Sequence, residues 1–104
     1  MVIPYKKYTQ ERRTLMFRVW GKIFQNNRLR NDVVIEIHNT ELTRTKKITT
    51  ALSDMCYHFD LSIPIWLDSN IADIKRSGKT RFYQDSFIET ISFDYLEFQI
   101  IEES

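Results

Sequence analysis

Between Thr43 and Phe59 the apolar residues Ile48, Ala51, Leu52, Met55, Cys56 and Phe59 recur at alternating steps of three, one, three, one and three. That spacing lays all six on one stripe of an α-helix. Elsewhere a period of two dominates. Leu15, Phe17, Val19 and Ile23 alternate with Arg18, Trp20, Lys22 and Phe24, and Leu29, Val33, Ile35 and Ile37 share one face of a run from Arg28 to His38. Near the end, Leu96, Phe98 and Ile100 alternate with Tyr95, Glu97, Gln99 and Ile101. Each of these runs reads as a strand with one buried face.

The first two runs predict a hairpin, with Gln25-Asn26-Asn27 as turn composition between them. A two-residue loop at Asn26-Asn27 would set Val19 against Val34 and Phe17 against Glu36, core positions beside outward ones. A three-residue loop pairs Leu15 with Ile37, Phe17 with Ile35, Val19 with Val33 and Ile23 with Leu29. A one-residue slip turns every side chain to the wrong face, so the pattern predicts the three-residue loop, with Asn27 left-handed. The outer face then carries Arg18, Trp20, Lys22 and Phe24 on one strand and Arg28, Arg30, Asp32, Val34 and Glu36 on the other. In that register Lys22 lies opposite Arg30, a like-charge pair that costs energy unless an anion is near.

Thr40 or Thr43 can cap the helix, and Pro64 keeps Ile63 out of the helical region beyond its end. The earlier start is favoured, because a start at Thr43 crowds Arg44, Lys46 and Lys47 onto the positive end of the helix dipole. Ile65-Trp66-Leu67 reads as a short buried strand. A short helix follows over residues 70–76, with Asn70 and Asp73 at capping-box spacing and Gly78 as its stop. Residues 79–84 read as loop or short strand, and residues 86–89 as one helical turn. The order hairpin, long helix, short strand, short helix, final strand gives an α+β fold, a sheet packed on one main helix. It is β-grasp-like, with the final strand expected beside the first and parallel to it. Residues 15–104 form the domain, and residues 1–14 read as a basic N-terminal arm.

Composition sharpens this only in part. The 104 residues are 42% hydrophobic and 28% charged, with a net charge of +1, as for one globular domain. Residues 1–30 hold eight Lys/Arg against one acid, whereas residues 85–104 hold six acids and no Lys or Arg. Either the basic end binds an anionic partner or the two ends neutralise each other. A final strand beside the first would place Glu97 next to Arg18 and Lys22, which favours neutralisation. Cys56 is the single cysteine, which favours a reducing compartment. The absence of an apolar membrane-length run and of a leader-like N-terminus adds a cytoplasmic expectation.

Motifs that carry chemistry are sparse. Gly78-Lys79-Thr80 has the end of a phosphate loop, but Asp73 stands where its first glycine belongs. Cys56 and His58 are two apart on a helix and point away from each other, so they do not make a metal pair. Asp85, Glu89, Asp94 and Glu97 read as solvated acids rather than an acid–base pair. Neither a cofactor nor a metal is expected. Lys75, Arg76, Lys79 and Arg81, beside Phe82 and Tyr83, mix cations with aromatics as nucleic-acid surfaces do. With Arg44, Lys46 and Lys47 they are the candidate anion-binding residues. Arg18, Trp20, Lys22, Phe24, Arg28 and Arg30 are the candidate binding residues of the outer hairpin face, where exposed aromatics mark an interface.

The segments CYHFDLSIPIWLDSNI, KTRFYQDSFIE and DYLEFQIIEE resemble a group of small uncharacterised bacterial proteins of clostridial type, over Met16 to the end. The resemblance implies a bacterial cytosolic origin and no particular activity. The expectation is a non-enzymatic protein-binding or regulatory module acting through the outer sheet face, with a protein or a second copy as partner. The alternatives are a nucleic-acid-binding protein, using the hairpin cations and those of residues 75–81, and an enzyme of unrecognised class.

Overall fold

The computed structural model describes residues 16–39 and 41–103. The basic arm over residues 1–14, Leu15 and the cap at Thr40 lie outside the described residues. Strand β1 (Phe17–Gln25) turns at Asn26-Asn27 into β2 (Arg28–Ile37). Helix α1 (Arg44–Phe59) and helix α2 (Asp68–Ser77) follow, then β3 (Lys79–Phe82), a 3-10 turn (Gln84–Ser86) and β4 (Tyr95–Glu103). The strands form one sheet of order β2-β1-β4-β3, antiparallel at every junction. The fold is α+β, with the apolar stripe of α1 laid on one face of the sheet.

The last strand lies beside the first, as expected, but antiparallel rather than parallel. Residues 65–67 also depart from the expectation. Ile65-Trp66-Leu67 is not a strand; Leu67 is the N-cap of α2, and Trp66 sits edge-on to Phe82 and Phe98, with ring centroids 5.0 and 5.9 Å away. Its apolar character serves helix–sheet packing. The fourth strand is instead the more polar Lys79–Phe82, which lies antiparallel against β4. Asn70 is not a cap but the third residue of α2, its side chain accepting the Leu67 backbone N–H at 3.0 Å. Gly78 ends α2 at φ 73° and leads directly into a strand, the reverse of a phosphate-loop arrangement.

The hairpin corrects the predicted register. Its loop has two residues, Asn26 and Asn27, with φ of 55° and 65°. Two left-handed residues give the turn whose twist matches the strands, and asparagine tolerates that region better than most side chains. Phe24 pairs with Leu29 while Ile23 pairs with Asn31, so Arg30 is an extra, bulged residue. The bulge restores the parity that a two-residue loop alone would break. Phe17 faces Ile37, Val19 faces Ile35 and Gly21 faces Val33, all on the core side. Lys22 therefore lies opposite Asp32, not Arg30.

Ile48, Ala51, Leu52, Met55 and Cys56 of α1 pack against Phe17, Val19, Ile23, Phe82, Leu96 and Phe98 in one buried cluster. Met55 lies directly over Gly21: a Cβ built there would stand 2.6 Å from its sulfur. The helix begins at Arg44 rather than near Thr40. Thr43 is its N-cap, with its hydroxyl accepting the Lys46 N–H at 3.1 Å, and its first turn contains no acid. The unfavourable placement of Arg44, Lys46 and Lys47 is thus real, and an ion pair from Arg44 to Glu103 offsets part of it.

Candidate functional site

Alternation sends Arg18, Trp20, Lys22 and Phe24 of β1 to the face away from the helices. Their neighbours across the sheet follow from the register. One row runs Asp32, Lys22, Glu97, Arg81 across all four strands, alternating in sign. Lys22 Nζ lies 2.8 Å from Glu97 Oε2 and donates to Gln99 Oε1 at 2.9 Å, and Arg81 Nε lies 3.1 Å from Glu97 Oε1. A second set joins Arg18 to Glu36 at 3.3 Å and to Glu102 at 3.4 Å. The basic first strand and the acidic last strand therefore neutralise each other within the sheet.

Glu97 is 4% exposed and Lys22 9%, although they point away from the core. Their cover is partly aromatic. Lys22 Nζ sits 3.8 Å from the Trp20 ring centroid, and the Arg81 guanidinium lies 4.6 Å from that of Tyr95. Burial raises the Glu97 carboxyl, but hydrogen bonds from Lys22 and Arg81 and the positive charges of Lys22 and Lys79 outweigh it, leaving its pKa lowered. Hydrogen bonding with Tyr83 first, and then with Glu97, holds Arg81 still more firmly protonated than usual.

Trp20 is half-buried, and its indole N–H donates to Asp32 Oδ2 at 2.9 Å. Phe24 stacks on Tyr95 with centroids 5.2 Å apart, and Tyr83 reaches Tyr95 at 5.4 Å. Phe24, Tyr95 and Tyr83 thus make an aromatic strip across one end of the outer face, with Tyr83 47% exposed. Arg28 is exposed beside the turn. Arg30, at the bulge, donates to Gln25 Oε1 at 3.1 Å and to Ser92 Oγ at 3.4 Å.

The candidate anion-binding residues do not all converge on one site. Arg76, Lys79 and Arg81 line a cleft of about 390 Å³ between α2 and β3, together with Asp73 and Asp85. Arg76 is paired with Asp73, whose carboxyl is lowered first by the Thr80 hydroxyl and then by Arg76. Asn70 donates to Thr80 Oγ1 at 2.8 Å and to the Arg81 carbonyl at 2.9 Å, so the floor of the cleft is a closed hydrogen-bond network fastening α2 to β3. Lys75 and Arg44 flank a separate groove of about 370 Å³ over Ile48, Trp66, Ile71 and Ile74. Lys46 is exposed, and Lys47 Nζ lies 5.9 Å from the Phe17 ring centroid.

Cys56 is 0% exposed, and its thiol is pushed up to about 12 by burial, with the charge of Glu89 adding. His58 is exposed. Among the described residues no three His, Cys, Asp or Glu are placed to hold a metal, and no helix is long and apolar enough to cross a membrane. The other carboxylates have structural positions: Asp94 Oδ2 accepts the Asn26 N–H at 2.8 Å, and Glu89 Oε2 accepts the Ser62 N–H at 3.2 Å.

The sequence reading missed Tyr95 and Gln99 as parts of this surface, and also Glu102. The outward alternation of Tyr95 and Gln99 was visible, but their neighbours on β1 and β3 were not; Glu102 falls on the inward parity and comes opposite Arg18 only through the register shift that skips Ile101. No family model, curated protein or solved structure matches the chain.

Proposed function

We propose that this protein is a non-enzymatic binding module whose outer sheet face docks a protein partner at the strip Phe24, Tyr95 and Tyr83, with Trp20 and Arg81 beside it. One observation carries the reading. The strand cations Arg18, Lys22 and Arg81 are each paired with a carboxylate of the same sheet, while the neighbouring rings form a continuous strip. A polyanion gains affinity by replacing counterions on unpaired cations. A protein partner gains it from aromatic and arginine anchors in a desolvated patch. The chemistry of this face therefore favours protein over nucleic acid.

The test is affinity capture with the tagged chain and its Tyr83→Glu and Val34→Glu variants, both at exposed outward positions, after circular dichroism shows that each is folded. Loss of the same discrete partner from the Tyr83→Glu capture supports the reading; an identical set of proteins on all three overturns it. The nucleic-acid reading keeps one observation in its favour, the convergence of Arg76, Lys79 and Arg81 on one cleft. Retardation of single-stranded RNA at low salt that disappears in Lys79→Glu would establish it instead. A reducing cytoplasm suits a module whose lone thiol is buried and protonated.

A further inference from the structure

The two edges of the sheet are built differently. Strand β3 has four residues, with Lys79 and Arg81 outward, and α2 is fastened to it through Asn70. Short, charged and covered edges do not recruit new strands. Strand β2 has ten residues and, among the described residues, no strand on its far side. Its bulge at Arg30 blunts only the end near the turn. From Asp32 to its end at Ile37 the strand is regular and reads DVVIEI, with four β-branched residues among six.

Burial singles out the same segment. Val33 and Ile35 point to the core side yet are only half-buried, while their neighbour Val19 on β1 and Phe98 on β4 are 0% exposed. Val34 on the other face is 40% exposed. The edge thus leaves apolar side chains open on both faces next to a backbone that, among the described residues, pairs with no further strand.

We infer that β2 pairs antiparallel with β2 of a second copy about a two-fold axis at Ile35, joining two four-stranded sheets into one. The register follows from side-chain complementarity. With Ile35 opposite its own copy, Val33 meets Ile37 on the core side, Val34 meets Glu36 on the outer side, and Asp32 comes level with His38, the residue that follows the strand. Centring the axis on Val34 would oppose Asp32 and Glu36, and centring it on Asp32 would oppose that residue to itself; like charges directly opposite disfavour both. Centring on Val33 sets Asn31 against Ile35 and breaks the apolar row. The Ile35 axis alone keeps the core-side row apolar and avoids every like-charge pair. Both copies keep their helices on one face, and the outer faces join, so the proposed partner site would be presented twice.

Ile35→Cys tests the contact and its register together, because directly opposed Cβ atoms in an antiparallel pair lie about 4.5–5.5 Å apart, within disulfide reach. Cys56 is buried and gives no background. Under mild oxidation the folded Ile35→Cys chain should form a covalent dimer, while Asp32→Cys, six residues out of register with its own copy, should remain monomeric. Sedimentation of the unmodified chain, independent of any substitution, should show mass rising from monomer to dimer between low-micromolar and submillimolar concentration. A chain that stays monomeric throughout overturns the proposal. So does a dimer in which Asp32→Cys cross-links as readily as Ile35→Cys, since the copies then meet elsewhere. Neither result bears on partner capture by Tyr83, so the two proposals fail separately.

Discussion

Two residues show how closely the core and the outer face are specified. Gly21 sits beneath Met55, and an alanine there would put a methyl 2.6 Å from the methionine sulfur. Met55 is fully buried and can give way only by moving its neighbours. Gly21→Ala should therefore destabilise the fold by about 1–3 kcal/mol through overpacking. Met55→Ala alone should cost about 2–5 kcal/mol through its cavity. The double variant should cost less than the sum of the two, measured as midpoints of urea unfolding. On the other face Glu97 joins two cations. Its folded carboxyl titrates below the ordinary value of 4.5, so its contribution is complete above that value and is lost as pH falls through the folded value. Glu97→Gln should lower stability at pH 7 by about 1–3 kcal/mol, because Lys22 loses its ionised partner. It should also flatten the fall in stability between neutral and acid pH, and an unchanged acid limb would contradict the buried pair.

At the scale of elements, the clearest parts to read from sequence were those fixed by a period. The α1 stripe is buried as the spacing demanded, and Phe17, Val19, Ile23, Val33, Ile35 and Ile37 face the core as predicted; Leu29 does not, because the bulge pairs it with outward Phe24 and leaves it 49% exposed. The register was not legible, because a bulge has no propensity signature: Arg30 is an ordinary strand residue whose effect is one of counting. Deleting Arg30 should leave a regular two-residue hairpin with the same core face and change stability by no more than about 1 kcal/mol. Deleting Val34 instead turns Ile35 and Ile37 to the outer face and should cost several-fold more, or prevent folding. Chemical unfolding of the two deletions distinguishes these outcomes. The start of α1 was misjudged because a dipole penalty of a few tenths of a kcal/mol was weighed against an earlier cap, and the local cap at Thr43 prevailed. Lys46 is the third helical residue after that cap. Lys46→Glu completes a capping box and reverses an unfavourable charge, so it should raise stability by about 0.5–1 kcal/mol, read as a higher midpoint of thermal unfolding.

At the scale of the molecule, the β1 cations Arg18 and Lys22 meet the β4 carboxylates Glu102 and Glu97 in the sheet. That meeting was foreseeable once the last strand was placed beside the first; Glu97 lies beside Lys22 as expected, whereas Arg18 pairs with Glu36 and Glu102 instead. The direction of the strand, the position of Lys79–Phe82 at the far edge, and hence the contact of Arg81 with Glu97 and Tyr95, were not foreseeable. Trp66 packs edge-on to Phe82 and Phe98, yet three consecutive apolar residues read equally well as a strand. The proposed docking face consists of this closed ion network and the aromatic strip beside it. A photoreactive phenylalanine at position 83, with one at the equally tolerant but remote position 57, tests it most directly; Tyr57 is 90% exposed on α1. Irradiation in cell extract should give a discrete protein adduct from position 83 and none of that mass from position 57. The same adducts from both positions, or adducts only to nucleic acid from position 83, would contradict the account.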